Sequence, residues 1–328
     1  MICIAKSLGW IHQNFNFLVG RAIARPFTVR IMSNILFIGL SLSSILLLIA
    51  LGLSITYGAM GVINMAHGEL VMIGAYTAVL SGLYLNLNLF LALPLAFLVS
   101  AGVGLAVERV IIRRLYGRII DTLLATWGVA ILLQQLIRLE FGLSFFDIHV
   151  DGLGPGFQSF PIPAFLSENF DIFGFTVQPY RSFIIVLTIA LTFLTWFLMY
   201  RTSLGTQVRA IMRNPQMAAA CGIDVNRISA WTFAYGSGLA GVAGVLLAGF
   251  KAVIPDMGES VVVDGFLVVV VGGVGSLFGT LLSAAVLGQI NGVFAILTND
   301  IVARAIVFGV VIFLILLRPN GLFGFKSR

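Results

Sequence analysis

Apolar runs of about twenty residues, separated by short polar breaks, set the pattern of this sequence. They occupy 35–55, 68–85, 90–107, 122–137, 182–200, 228–249, 280–297 and 301–317. About twenty apolar residues in a helix reach across the hydrocarbon core of a bilayer. Inside lipid each segment must satisfy its own backbone hydrogen bonds, which makes these runs helices. A shorter run, 265–271, leads into the glycine cluster GGVGS at 272–276 and predicts a broken crossing or a re-entrant piece. The pattern therefore predicts an all-α, polytopic transmembrane bundle of eight to ten spans, with broken or re-entrant helices among them.

Composition narrows the class further. Of 328 residues, 59% are hydrophobic and 10% charged, against roughly 25% charged in a soluble domain. That is too little polar surface to cover a water-facing globule. The net charge of +6 raises nucleic acid as a partner, but the basic residues form no face or stripe. They sit between apolar runs, where they orient a membrane protein against lipid, and nucleic acid is set aside. Arg109, Arg113, Arg114 and Arg118 form one cluster. Arg201, Arg209, Arg213 and Arg227 form a second, and Arg318, Lys326 and Arg328 close the chain. All three predict cytoplasmic segments and a cytoplasmic C-terminus. The stretch 143–181, with Asp147, Asp151, Glu168 and Asp171, predicts an external loop.

The amino terminus strains this scheme. Lys6, Arg21, Arg25 and Arg30 argue that it is also inside, which requires three crossings by short pieces between 35 and 85. Two crossings would leave it outside despite its charge. The three-crossing reading is preferred here. Residues 1–30 then form a basic amphipathic leader lying on the membrane surface, ahead of a single transmembrane domain over 31–328. Cys3 and Cys221 give no disulfide framework, and no residues have metal-ligand spacing.

Four stretches hold polar or glycine positions that a plain lipid-facing helix does not need. In ITYGAMGVINMAHGELVMIGAYTAVL (55–80), Gly58, Gly61 and Gly68 accompany Asn64, His67 and Glu69. Glycine lets backbones approach closely or a helix break. Ionisable groups at membrane depth usually face a cavity or the bundle interior. One reading is a broken helix beside a translocation path, with Asn64 as the best candidate to line it. The other is helix packing, with His67 and Glu69 near the headgroups. In the span at 122–137, Gln134 and Gln135 either line the path or bond across helices.

The basic stretch 201–227 is long enough for two short helices, with Pro215 opening the second and Gly222 ending it. Its apolar residues, among them Val208, Ile211, Met212, Met217 and Ile223, are too many for a solvated linker. They predict a docking helix for a partner or a helix lying on the membrane. On the docking reading, Arg209, Met212, Arg213, Asn214, Pro215, Met217 and Gly222 form the coupling segment. The fourth stretch, 251–280, ends in the hinge glycines Gly272, Gly273 and Gly275. It lacks the Lys-Ser/Thr of a nucleotide loop, so ATP is not expected to bind this chain.

GVINMAHGE (61–69), AIMRNPQMAAACGIDV (210–225), VVVVGGVGSLFGT (268–280) and RPNGLFG (318–324) together resemble the permease subunits of the branched-chain amino acid and urea class of ABC importers. The likeness covers most of the chain from about residue 35. LYGRIIDTLLATWGVAILLQQ (115–135), VIPDMGES (253–260) and NPQMAAACGI (214–223) look closest to the first, B-type permease subunit of a urea importer. The resemblance implies a transport subunit rather than an enzyme, set in the bacterial inner membrane. It implies a second, homologous permease subunit, two cytoplasmic ATPase subunits and a periplasmic substrate-binding protein. ATP and Mg would sit on the ATPases, and residues 201–227 would contain the segment coupled to one of them.

On that basis urea is the expected solute, with a branched-chain amino acid or a short amide as the alternative. Sparse intramembrane charge suits a small neutral solute. An amino-acid zwitterion would instead call for a helix N-terminus toward its carboxylate and an acid toward its amine. An ion-coupled secondary transporter is a distant alternative, because Glu69 is the sole acid expected near a span centre and such a mechanism leaves 201–227 unexplained. An intramembrane enzyme built on His67 and Glu69 is disfavoured, because residues at i, i+2 fall on different helix faces.

Overall fold

The structure is a computed structural model that describes residues 25–138, 156–168, 170–172, 175–318 and 321–323. The leader residues 1–24 and the first third of the expected external loop, 143–155, lie outside this set.

Helices dominate the described residues. Helix α1 (Arg25–Met60) is followed by α2 (His67–Leu85), α3 (Leu89–Val110) and, after a 3₁₀ turn at Ile112–Leu115, α4 (Ile119–Arg138). Beyond a small antiparallel hairpin, β1 (Phe170–Ile172) with β2 (Phe175–Val177), come α5 (Pro179–Arg201), α6 (Ser203–Arg213) and α7 (Pro215–Ala220). The chain ends with α8 (Val225–Ala248), α9 (Met257–Gly272), α10 (Leu277–Leu297) and α11 (Asp300–Leu317). Eight helices are long and apolar enough to cross a membrane: α1 to α5, α8, α10 and α11. They match the eight runs read from the sequence.

Helix α8 is the hub. From Ile228 to Ala248 nearly every residue is buried, against α1, α2 and α3. Its sequence, GSGLAGVAGVLLA, has small residues where neighbours must come close, the usual device for packing helices where lipid supplies no hydrophobic drive. Side chains at Gly236, Gly241 and Gly244 would overlap the backbones of α1, α3 and α2 respectively. The main apolar core lies around this hub, with Leu70, Met72 and Tyr76 of α2 and Leu246 of α8 fully buried.

Two crossings lie between residues 25 and 85, not three. Helix α1 is unbroken from Arg25 to Met60, running through the boundary expected at residue 30. Its glycines serve close packing: Gly39 meets Gln289 and Gly52 meets Gly236. Helix α1 ends on the basic face, where Gly58 meets Met212 and Gly275. Its other end is tied to the opposite face, where the Arg181 guanidinium donates to Ser41 Oγ at 2.8 Å. That bond lies near the start of α5, whose far end, Arg201, enters the basic loop. The amino-terminal end of α1 thus lies on the face opposite Arg114 and Arg213, despite its charge.

The short run at 265–271 is the second half of α9, which begins eight residues earlier at Met257. Polar Glu259, Ser260 and Asp264 hid its first turns. Asp264 is paired with Arg304 of α11 at 3.4 Å. The glycine cluster does end the helix, with Gly273 at φ +93° and Gly275 at φ +75°. The last described residues return to the basic face, where Leu322 N donates to Val271 O at 2.8 Å.

Residues 201–227 fold as the two expected short helices. Asn214 caps α7 by accepting from Met217 N at 3.0 Å, Pro215 is its first residue, and Gly222 at φ +83° ends it. The segment also shares a small apolar core with the ends of two spans. Val208, Ile211 and Ala218 are buried with Ala59 and Ile228 beneath the ends of α1 and α8. Their spacing puts Val208 and Ile211 on one helical face, and that face is satisfied within the chain.

Candidate translocation site

The polar interior begins where α1 stops. Gly61, at φ +65°, turns the chain, and 61–66 runs without regular structure back into the bundle. Thr126 of α4 pins this stretch, accepting from Met65 N at 3.1 Å and donating to Ile63 O at 3.3 Å. Asn64 is buried. Its Oδ1 accepts from Ala66 N at 3.1 Å, an Asx-type turn that starts α2, while Nδ2 has no partner.

His67 opens α2. Its Nε2 lies 3.1 Å from Ile49 O of α1. A carbonyl can only accept, so Nε2 carries the proton, and Nδ1 is left without a partner. His67 is therefore a latch between the start of α2 and the middle of α1. Two residues on, Glu69 Oε1 accepts from Gln134 Nε2 at 3.2 Å, while Oε2 has no partner. Tyr76, further along α2, is buried with an unpartnered hydroxyl. Buried polar atoms are nearly always hydrogen-bonded, so this concentration on one stretch marks an interior built for something polar.

Helix α9 completes the site. It begins Met257-Gly258-Glu259, and α2 begins His67-Gly68-Glu69. The two starts meet glycine on glycine: a Cβ at Gly68 would overlap the Gly258 carbonyl. A Cβ at Gly258 would in turn crowd the Glu69 carboxylate, 2.7 Å from Oε2. Asp256, Glu259 and Arg138 lie close enough to act on Glu69 electrostatically, and Arg138 is ion-paired with Asp256. Two helix starts, each the positive end of its dipole, thus converge on a carboxylate-lined interior.

Two cavities lead from this cluster toward the basic face. Asn64 lines one of about 60 Å³ with Tyr57, Ile63, Phe266 and Val274. Tyr57 and Val274 also line the second, of about 350 Å³, together with Gly58, Arg209, Met212 and Arg213. Helix α6 therefore walls the cavity next to the one that Asn64 lines.

Most of the expected residues fall into this arrangement, and some do not. Asn64, His67, Glu69 and Gln134 come together. Gln135 is on the exposed side of α4 and is not brought to the cluster. Met212 is turned inward against Gly58 and Gly275, and Arg209 stacks over the Tyr200 ring at 5.1 Å, so neither projects from the protein. Met217 does, at 63% exposed. Of the expected hinge glycines, Gly58, Gly68 and Gly272 are close contacts, against Gly275, Gly258 and Gly279, whereas Gly61, Gly273 and Gly275 turn the chain at positive φ. Arg138, Asp256, Glu259, Thr126 and Tyr76 were missed. The repeated Gly-Glu of MAHGEL and PDMGES was the signal available for the α9 start. Also missed was buried Glu108, which accepts from Tyr116 Oη at 2.6 Å and pairs with Arg113 at 3.2 Å. Burial, and then that bond to Glu108, pushes the Tyr116 phenol up from its ordinary value.

A spanning bundle with a buried polar seam, at which two helices begin inside the bundle, defines a multi-pass transport subunit. The chain belongs to the family of permease components of branched-chain amino acid transport systems, whose family model matches residues 35–316. It is a permease subunit and not an enzyme. It is 33% identical over 303 residues to the high-affinity branched-chain amino acid transport system permease protein BraD of Pseudomonas aeruginosa, covering 87% of this chain and 94% of that one. It is 32% identical over 300 residues to the corresponding LivH protein of Salmonella typhimurium, covering 88% and 94%. To the LivM protein of the same organism it is 25% identical over 267 residues, covering 75% and 60%. No solved structure matches the chain.

Proposed function

We propose that this chain is one of two homologous permease subunits of an ATP-driven, binding-protein-dependent importer of the bacterial inner membrane, and that its solute is a branched-chain amino acid. The solute passes from the Arg138–Asp256 pair, past Glu69, Gln134 and Asn64, to the cavity walled by α6. The basic loops and the C-terminus are cytoplasmic, by the excess of arginine there. Two ATPase subunits carrying ATP and Mg dock on the α6–α7 segment, and a periplasmic protein delivers the solute. A named pair of permease proteins in one organism's branched-chain system, LivH and LivM, supports a second, homologous subunit here.

The observation that carries the choice of solute is Glu69 in the first turn of α2, unpartnered at Oε2. A zwitterion needs positive potential for its carboxylate and an acid for its ammonium group, and the two helix starts with Glu69 supply both. Urea, with no charge, needs neither, although 115–135 and 253–260 look most like a urea permease. Uptake of radiolabelled leucine and urea into proteoliposomes holding the whole complex separates the two. ATP-dependent leucine uptake, competed by isoleucine and valine and not by urea, is expected. ATP-dependent urea uptake without leucine uptake would overturn the assignment of solute.

A further inference from the structure

Helix α8 is enclosed almost everywhere, with one lateral opening. Beyond its first turn, Trp231 is its sole exposed residue, at 58%. Two cavities of opposite character meet at that tryptophan. One, of about 630 Å³, is apolar, lined by Leu198, Met199, Leu204, Val208, Ile223 and Tyr235 among others. The other, of about 520 Å³, is walled by Arg109, Arg113 and Arg227 with Asp224, Asn226 and Ala230. Asp224, Arg227 and Trp231 line both, so the two are halves of one amphipathic cleft.

The charges are not balanced within the protein. Arg109, Arg113 and Arg227 face two carboxylates: Glu108 holds Arg113, and Asp224, which also accepts from the Arg227 backbone N–H at 3.1 Å, keeps its negative charge, so one positive charge is left over. The Arg109 and Arg227 side chains make no hydrogen bond or ion pair among the described residues. Both stand where spans end, Arg109 in the last turn of α3 and Arg227 in the first turn of α8. That is headgroup level, where tryptophan also prefers to lie.

We propose that this cleft is a binding site for an anionic phospholipid. The headgroup phosphate lies between Arg109 and Arg227, and an acyl chain enters the apolar half past Trp231. Basic pockets between spanning helices on the cytoplasmic side suit such headgroups, and the apolar half is in the size range of pockets that take organic ligands. The leaflet rests on the orientation proposed above, whereas the site itself does not. The lipid would brace α6 against α8 and so set the resting position of the coupling segment.

The test uses the delipidated complex, native mass spectrometry and added phosphatidylglycerol or phosphatidylcholine, with inorganic phosphate as a third probe. Phosphatidylglycerol is expected to be retained in preference to phosphatidylcholine. The exposed double change Arg109→Gln/Arg227→Gln should lower that retention on the order of tenfold or more, since each surface arginine contributes about 1 kcal/mol toward an anionic lipid. Leu204→Glu, at an exposed wall of the apolar half, should lower it with both arginines intact. Three results would overturn the proposal. One is equal phosphatidylglycerol retention by wild type and both variants. Another is inorganic phosphate alone displacing the lipid, which would make this a free-anion site. The third is loss of a partner subunit from the double variant with lipid retention unchanged, which would make the arginines a protein interface.

Discussion

Glu69 sits inside a helical bundle with one hydrogen bond, from Gln134, and one carboxylate oxygen unpartnered. An acid in that position is costly unless it faces a cavity or a charged ligand. If it receives an ammonium group, Glu69→Gln should depress leucine uptake by roughly an order of magnitude, as expected when one buried charged partner worth about 1.5–3 kcal/mol is removed. The neutral isostere preserves the packing against Gly258, so assembly and ATPase content should not change. Undiminished uptake by the Gln variant would make Glu69 a packing residue. Asn64 divides its amide between two tasks, and two substitutions tell them apart. Asn64→Ser keeps an acceptor for Ala66 N–H and removes Nδ2, whereas Asn64→Leu removes both. Both should insert and assemble, and both should transport poorly if Nδ2 borders the path. Normal uptake by the Ser variant would confine Asn64 to starting α2.

The elements built from these residues explain which parts of the site could be read in the sequence. Continuous apolar runs gave away the eight long helices because periodicity hardly matters when all sides are apolar. Helix α9 was half hidden because Glu259, Ser260 and Asp264 break its run, yet Asp264 is matched by Arg304 at 3.4 Å. Asn64, His67 and Glu69 were conspicuous as polar residues in a span. Thr126, which pins the backbone at Ile63 and Met65, and Asp256, which pairs with Arg138, were not, because nothing local indicates which helices meet. The same limit affected the α6–α7 segment. Its composition announced a buried face, but only tertiary packing shows that Val208, Ile211 and Met212 turn inward. The two methionines should therefore behave differently. Met212→Asp would withdraw the thioether from the notch of Gly58 and Gly275 and put a shorter, charged side chain in its place, and should lower the yield of folded chain. Met217→Asp, on the exposed face, should leave the chain folded while reducing ATPase co-purification or coupled uptake. A Met217→Asp complex with full ATPase content and normal uptake would move the docking surface away from α7.

At the scale of the molecule, the arrangement of crossings links the fold to its orientation. Helix α1 ends beside Gly275 and Met212, while Ser41 near its other end meets Arg181 at the start of α5. Helices α2 and α9 begin against each other inside the bundle, one entered from each face, which is the inverted-repeat logic of many transporters. Counting crossings from there puts 109–118, 201–227 and 321–323 on one face, and the start of α1 with 156–168 and 175–178 on the other. Arginine excess is the ground on which the first face is proposed to be cytoplasmic. The amino-terminal arginines oppose that rule for the first helix, and the packing of α1 outweighs them. Single cysteines read this out directly. Arg114→Cys and Arg213→Cys should react with an impermeant maleimide only after the membrane is breached. Asn34→Cys and Pro161→Cys should react in intact cells stripped of their outer membrane. Labelling of position 34 together with 114 and 213 would require a third crossing before residue 85. Labelling of 114 and 213 in intact cells, with 34 and 161 protected, would instead invert the whole protein and move the ATPase-docking face to the outside. The first outcome would refute the continuous helix α1. The second would leave the fold intact and refute the importer orientation, because nucleotide is available on the cytoplasmic side alone.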